Sequence, residues 1–298
     1  MPGSDLTPAE RTAAETLVRL ALAEDLGDRG DVTGQALIGA EERAMAAVTA
    51  RQEGVLAGIP IAKLVVQHVH PDLEWSDRLH DGEAVSPGDI VAEISGPLAP
   101  MLVAERTLLN FLTHLSGIAS LTRKFVDAVK ETRAQILDTR KTLPGWRLLQ
   151  KYAVRCGGGV NHRIGLYDGV LIKDNHLAAW TESHTIAEAV QTAKSRWHDL
   201  IIEVEVDTLD QLRDALRGKP DMVLLDNLPP RALAEAVAVR DAAAPQTLLE
   251  ASGGVNLATV RQIAETGVDR ISIGALTHSA PALDLALDWE HRQAQAAR

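Results

Sequence analysis

Residues 161–176 read "NHRIGLYDGVLIKDNH". At its centre, "GVLI" is a short apolar run that opens after a glycine and stops abruptly at Lys173, Asp174, Asn175 and His176. An apolar core of this length, bounded by turn residues and polar groups, reads as a buried strand that surfaces at its C-terminal end. The same texture recurs downstream and once upstream. "AQILD" runs into Asp138-Thr139-Arg140-Lys141, "IIEVEV" carries Glu203 and Glu205, and "MVLLD" ends in Asp226-Asn227. "TLLEA" leads into Ser252-Gly253-Gly254, and "RISIG" into Gly274-Ala275-Leu276-Thr277-His278. Helical segments lie between most of these strands, with cap signals at Thr181, Thr208 and Asn256, the last with Gly267 past the end. Apolar strands alternating with helices specify a parallel sheet covered by helices. Gly-rich loops after the last two strands favour a barrel over an open sheet. Six strands are legible rather than eight, so the expected fold is an incomplete α/β barrel of six or seven strands.

Working outward, the chain before residue 117 has a different texture. Thr7-Pro8-Ala9-Glu10 offers a capping box with Pro at the first helical position, and Gly27 stops that helix. From Met45 to Gly96 short alternating segments punctuated by Gly predict antiparallel strands, with Ser86-Pro87-Gly88-Asp89 a tight turn and one helix near Pro60 to His70. Met101 to Lys130 is apolar at helical spacing, and Gly117 is expected to divide it into two helices. The predicted organisation is an N-terminal α+β sandwich domain over 1–116 and a barrel over 117–280. A C-terminal helix over 281–298 is expected to return toward the first domain.

The 298 residues carry 30 Lys+Arg against 41 Asp+Glu, a formal net of −11, which argues against general affinity for nucleic acid or anionic membranes. The one cysteine, Cys156, excludes an intrachain disulfide and a Cys-based zinc site, and is read as a packed thiol. The N-terminus lacks a secretion-signal pattern and no apolar run is long enough to span a bilayer, so a cytoplasmic setting is expected.

Against that acidic background, seven cations (Arg140, Lys141, Arg147, Lys151, Arg155, Arg163, Lys173) and one acid, Asp168, fall between Thr139 and Lys173. In a parallel barrel all strand ends meet on one face, so cations and acids at those ends converge. Arg147, Lys151 and Arg155 are spaced by four and read as a solvated helix face. Arg140, Lys141, His162, Arg163 and Lys173 then suit a substrate with more than one negative group, because guanidinium groups pair two-pronged with carboxylates. Glu203 and Glu205 share a strand face; Glu205, nearer the C-terminal end, is assigned to function and Glu203 to structure. Glu205 with Asp226 forms a sparse oxygen pair suited to a partly hydrated Mg²⁺. The two Gly-rich loops fit a phosphate pocket, where backbone N–H groups approach an anion.

These residues resemble the quinolinate phosphoribosyltransferase family through "EDLGDRGDVT", "AERTLLNFLTHLSGIA", "LDTRKTLPGWRLLQKYAVRCGGGVNHR", "DGVLIKDNH", "EVEV", "LLDN", "SGG" and "IGALTHS", in order from residue 24 to 279. Leu143 and Trp146 depart from the family's usual Thr and Leu without touching a charged position. The resemblance implies a homodimer in which Arg106 reaches the neighbouring subunit's site. It implies that quinolinate is held by Arg140, His162, Arg163 and Lys173, with Lys141 between it and the pyrophosphate and Thr139 among the substrate-binding residues. Phosphoribosyl pyrophosphate would place its 5′-phosphate on Ser252, Gly253, Gly254, Ile273, Gly274 and Ala275, with His278 nearby, and its ribose and pyrophosphate on Mg²⁺, Glu205 and Asp226. Lys141, Lys173, Glu205 and Asp226 would be the catalytic set. The implied reaction yields nicotinate mononucleotide, pyrophosphate and CO₂. The residues also admit two other classes: a Schiff-base aldolase using Lys141 or Lys173, and a carrier module built on "DGEAVSPGDIVAEI". The second has no lysine at a hairpin tip.

Overall fold

The computed structural model describes residues 6–180 and 184–289. In chain order the first half comprises α1 (Pro8–Leu26), α2 (Val32–Leu37), β1 (Arg43–Ala50), β2 (Gly54–Val55), α3 (Ile59–Val69), β3 (Glu74–Asp77), β4 (Ala84–Val85), β5 (Ile90–Pro97) and α4 (Leu98–Ala128). There follow β6 (Gln135–Leu137), α5 (Arg147–Cys156), β7 (Val170–Ile172), α6 (Asp174–Trp180), α7 (Ile186–Arg196), β8 (Ile202–Val206) and α8 (Leu209–Arg217). The chain closes with β9 (Met222–Asp226), α9 (Pro230–Ala243), β10 (Leu248–Ser252), α10 (Val260–Ala264), β11 (Arg270–Ser272), α11 (Ala275–His278) and β12 (Leu285–Trp289). They form two compact units, one of residues up to Arg123 with Thr142–Gly158 and the chain from Thr277, the other of Lys124–Lys141 and Gly159–Leu276.

The first unit is an α+β structure on a four-stranded sheet of order β12-β1-β5-β3, antiparallel throughout. Thr7 and Glu10 make the expected capping box at the start of α1. The Ser86–Asp89 turn closes through the Asp89 amide on the Ser86 carbonyl, with Gly88 at φ 95°.

Three expectations are corrected in this unit. The predicted C-terminal helix is absent over its described part: Leu285–Trp289 is a strand, paired antiparallel with β1 from Ala46↔Trp289 to Ala50↔Leu285. Its buried residues Leu285 and Leu287 recur every second position, which is the period of a strand, not of a helix. Residues 290–298 of that segment lie outside the described residues. Gly117 does not divide a helix; α4 runs unbroken through it. A Cβ at 117 would stand 2.1 Å from the Pro281 carbonyl oxygen, so glycine is there to let residues 281–282 cross the helix.

The third correction concerns α5. Lys151 is fully buried, and Arg155 pairs at 2.8 Å with the buried Glu10 carboxylate, so the spacing of four does not mark a solvated face. Tyr152, also fully buried, donates its hydroxyl to Asp81 at 2.5 Å, and Asp81 accepts the amides of Gly58 and Ile59 at the start of α3. The α5 stretch therefore belongs to the first unit, although it interrupts the sequence of the second.

Among the described residues the second unit has one six-stranded sheet, order β6-β11-β10-β9-β8-β7, parallel throughout. Sequence order runs around the sheet, and its two edges are the first and second strands of the series. This is the expected incomplete barrel, open between β6 and β7. An isolated parallel bridge, Leu137↔Val160, puts the segment before residue 161 on the free side of β6. The core is the row of apolar strand positions, among them Ile202, Val204, Val223, Leu225, Leu249 and Ile271, all at 6% exposure or less. Thr208 caps α8 as expected. The cap before α7 is Thr185; the expected cap Thr181 lies outside the described residues.

Candidate functional site

Because the strands are parallel, their C-terminal ends share one edge. Ser252 is in register with Asp226, Val206 with Leu225, Ile172 with Val204, and Ser272 with Leu137. Within the second unit this assembles Lys173, Glu205, Asp226, Ser252 and Gly274 at neighbouring strand ends. Lys173 Nζ meets Glu205 Oε2 at 2.6 Å. The amine is thus engaged as an ion-pair donor rather than offered as a nucleophile, which speaks against the aldolase reading. Asp226 Oδ2 accepts from the Asn227 amide at 2.6 Å, and the Asn227 backbone N–H bonds the Ser252 carbonyl.

The loop after β10 takes two successive left-handed residues, Gly253 at φ 94° and Gly254 at φ 60°. A Cβ at 253 would lie 2.1 Å from Asn227 Oδ1, so the loop depends on glycine for space as well as for conformation. Ile273 is buried and its amide bonds the Leu137 carbonyl; Ala275 opens α11.

The cationic residues separate into distinct positions. Arg140 is half-buried, and its Nε has no hydrogen-bond partner among the described residues. Arg163 is pulled below the ordinary arginine value by burial and then by the charge of Arg140. Two like charges this close, one with a buried donor unmet, create a local demand for an anion. Lys141 is exposed, with its amide on Thr139 Oγ1 at 3.0 Å. Arg106 on α4 is exposed and belongs to the first unit, as does His278, which contacts Ser279 Oγ at 2.6 Å.

His162 has a setting that its sequence position did not foretell. Its Nε2 lies 3.1 Å from Glu203 Oε2 and 3.3 Å from Glu250 Oε1, both carboxylates being essentially fully buried. Burial opposes charge on the imidazole, but the hydrogen bonds and charges of Glu203 and Glu250 outweigh it and hold the ring up to about 9. The Arg163 amide, 2.8 Å from Nδ1, makes the opposite demand, a lone pair on that nitrogen. Nε2–H serves the two carboxylates in either charge state, whereas the Arg163 contact is kept only by the neutral ring protonated at Nε2; the second proton trades that bond for positive charge beside the glutamates. Glu250 was overlooked in the sequence, although it is an acid in an apolar strand just as Glu203 is.

Comparisons with known proteins bear on the family of the chain. The family description "Quinolinate phosphoribosyl transferase, N-terminal domain" matches residues 31–116, and its C-terminal domain matches residues 118–288. The chain belongs to the quinolinate phosphoribosyltransferase family. Nicotinate-nucleotide pyrophosphorylase [carboxylating] of Mycobacterium leprae is 45% identical over 285 residues, covering 95% of this chain and 99% of the relative. The chloroplastic enzyme of the same name from Arabidopsis thaliana is 39% identical, covering 92% of this chain and 82% of its own length. The solved nicotinate-nucleotide pyrophosphorylase of Francisella tularensis superposes with a TM-score of 0.88 at 38% identity, covering 97% of this chain and 99% of that one. Quinolinate phosphoribosyltransferase architecture thus accounts for both units of the chain, and no helix among the described residues is long and apolar enough to cross a membrane.

Proposed function

We infer that the chain transfers phosphoribose from phosphoribosyl pyrophosphate to quinolinate, giving nicotinate mononucleotide, pyrophosphate and CO₂, a reaction of de novo NAD biosynthesis. The enzyme is a pentosyltransferase, a nicotinate-nucleotide diphosphorylase (carboxylating). The observation that carries this reading, beside the family membership, is the Arg140–Arg163 pair with an unmet buried donor. A ring with two adjacent carboxylates meets that demand.

In this reading Arg140, Arg163 and Lys173 bind and orient the dicarboxylate, with Thr139 and His162 beside them. Lys141, exposed at the end of the β6 loop, lies between the ring and the pyrophosphate. The ring nitrogen forms a bond to the anomeric carbon as the bond from that carbon to pyrophosphate breaks, and lysine charge stabilises the leaving oxygen. The carbon–carbon bond to the carboxylate beside the nitrogen then breaks. Its electron pair stays on the ring carbon next to the positive nitrogen, and a proton from water replaces CO₂. Ser252, Gly253, Gly254, Ile273, Gly274 and Ala275, with His278 nearby, are the proposed 5′-phosphate contacts, supported by the left-handed glycines of the first loop.

Mg²⁺ is proposed at Glu205 and Asp226. The donor set fits: each carboxylate engages one oxygen, with Lys173 and Asn227 respectively, and has a second oxygen to offer. Two carboxylate oxygens suit a cation that takes its other ligands from water and diphosphate, where it would offset leaving-group charge. A homodimer with Arg106 acting across it is proposed on the resemblance and on that residue's exposure. A cytoplasmic location is proposed as well, supported by the single, buried cysteine.

The test of the substrate is discrimination. Quinolinate, with Mg²⁺ and phosphoribosyl pyrophosphate, should yield nicotinate mononucleotide, and nicotinate under the same conditions should not. Equal turnover of nicotinate would overturn the dicarboxylate reading. For the dimer, Arg106→Ala and Lys141→Ala should each be inactive and recover activity when mixed; verified heterodimers without activity would remove the shared site.

A further inference from the structure

The barrel of the second unit is open between β6 and β7; Val160 pairs with β6 and Arg163 reaches the Gly169 carbonyl before β7, so residues 160–163 link the two edges. Val160 pairs with β6 on one side, its amide on the Ile136 carbonyl at 2.8 Å. Beyond it, among the described residues, the strand pairing does not continue, and side-chain contacts hold the segment. Asp138, fully buried at the end of β6, accepts the His162 amide at 2.9 Å and the Asn161 side chain at 2.6 Å. From the other strands of the barrel come Glu203 of β8 and Glu250 of β10, both turned to His162 Nε2, with Arg270 of β11 at 3.4 Å from the second oxygen of Glu250.

Such a cluster is a poor way to gain stability. Two carboxylates at 1% exposure or less pay a desolvation cost that an imidazole and one guanidinium at best offset, and apolar side chains of similar size would serve as well or better. Several of its atoms, Glu203 Oε1, both Glu250 oxygens and the Arg270 Nε, make no hydrogen bond among the described residues, so Glu250 acts on the ring by charge at 3.3 Å. What the cluster provides is geometric. Its carboxylates come from two non-adjacent strands and meet on one ring nitrogen, so the position of residue 162 is tied to both at once. The next residue, Arg163, sets its amide on Nδ1 of the ring in its neutral form and reaches the start of β7 through Nη1 on the Gly169 carbonyl at 3.1 Å.

We propose that Glu203 and Glu250 are positioning residues for the dicarboxylate substrate, acting through His162 Nε2–H to fix residues 161–163 across the open seam and so to place Arg163 beside Arg140. Arg270 is the counter-charge that keeps Glu250 in place. The proposal rests on the functional reading above and deepens it: neither glutamate touches the substrate, yet each sets how the substrate's two carboxylates are received.

The test uses the full-length protein with Glu203→Gln and Glu250→Gln, and Glu250→Asp as the shortened acid that keeps the charge. Two readouts are needed. The first is ¹⁵N-histidine NMR of the ligand-free protein, in which His162 shows a hydrogen-bonded Nε2–H that both glutamine variants shift or lose. The second is steady-state kinetics with calorimetric quinolinate binding. The expected result is a rise of roughly tenfold or more in the quinolinate KM and Kd, the loss expected when a charge-assisted hydrogen bond no longer holds its partner. The phosphoribosyl pyrophosphate KM should stay within about twofold, because that loss is confined to the dicarboxylate side. Glu250→Asp should recover part of the loss. An altered His162 signal with unchanged quinolinate binding would overturn the positioning role and leave the cluster structural. Equal losses for both substrates would also overturn it. A wild-type protein with the His162 signal but no quinolinate binding would instead sink the functional reading on which the proposal stands.

Discussion

Lys173 Nζ lies 2.6 Å from Glu205 Oε2, joining the C-terminal ends of two adjacent parallel strands. The lysine is nearly half exposed and the glutamate is not, so the pair faces outward at its cationic end. Its worth is in charge placement and not in stability. Lys173→Ala, Arg140→Ala and Arg163→Ala should each lower kcat/KM by roughly a hundredfold or more, as removal of preorganised charge does, with thermal unfolding near that of the wild type. Full activity in any one variant would remove that residue from the site.

Gly117 offers a test in which two effects have opposite signs. On helix propensity alone, Gly→Ala in mid-helix stabilises by about 1 kcal/mol. Here the new methyl would meet the Pro281 carbonyl oxygen at 2.1 Å, a backbone atom that cannot swing away. Gly117→Ala should therefore destabilise, by about 1–3 kcal/mol in urea unfolding, the usual range for overpacking. A stabilised variant would contradict the crossing of residues 281–282 over α4.

The Cys156 thiol is pushed up to about 12, first by burial and then by the charge of Asp81. Because the thiolate is the reactive form, the native protein should resist a disulfide-exchange reagent at pH 8 and react fully in urea. Rapid native labelling would show that α5 opens readily.

His162 makes stability depend on pH in a defined direction. Its folded value of about 9 lies above the unfolded value of about 6.5. Its stabilisation is therefore complete below about 6.5 and is lost as pH climbs through about 9. The stability advantage of wild type over His162→Gln, from urea unfolding between pH 6 and pH 10, should shrink across that window. An advantage that grew with pH would contradict the ion cluster.

The barrel was legible because each strand is a contiguous apolar run that stops at a polar end, a pattern that survives without tertiary information. Lys173, Glu205, Asp226 and the glycine loop could be placed for the same reason. Other features needed contacts distant in sequence. Leu283, Leu285 and Leu287 alternate in strand period, yet the final segment looks helical until β1 is there to pair with it. Lys151 sits four residues from two surface-like arginines and is nonetheless fully buried, which its spacing alone does not reveal. Glu250 gained its significance from His162, far earlier in the chain.

The most direct measurement follows release of label from quinolinate carrying ¹⁴C in the carboxylate beside the ring nitrogen, with purified protein, Mg²⁺ and phosphoribosyl pyrophosphate. Labelled CO₂ and nicotinate mononucleotide should appear in equal amounts, and neither should form when any component is omitted. Folded protein that releases no CO₂, or forms a nucleotide that retains the label, would contradict the assignment of this site to decarboxylating phosphoribosyl transfer.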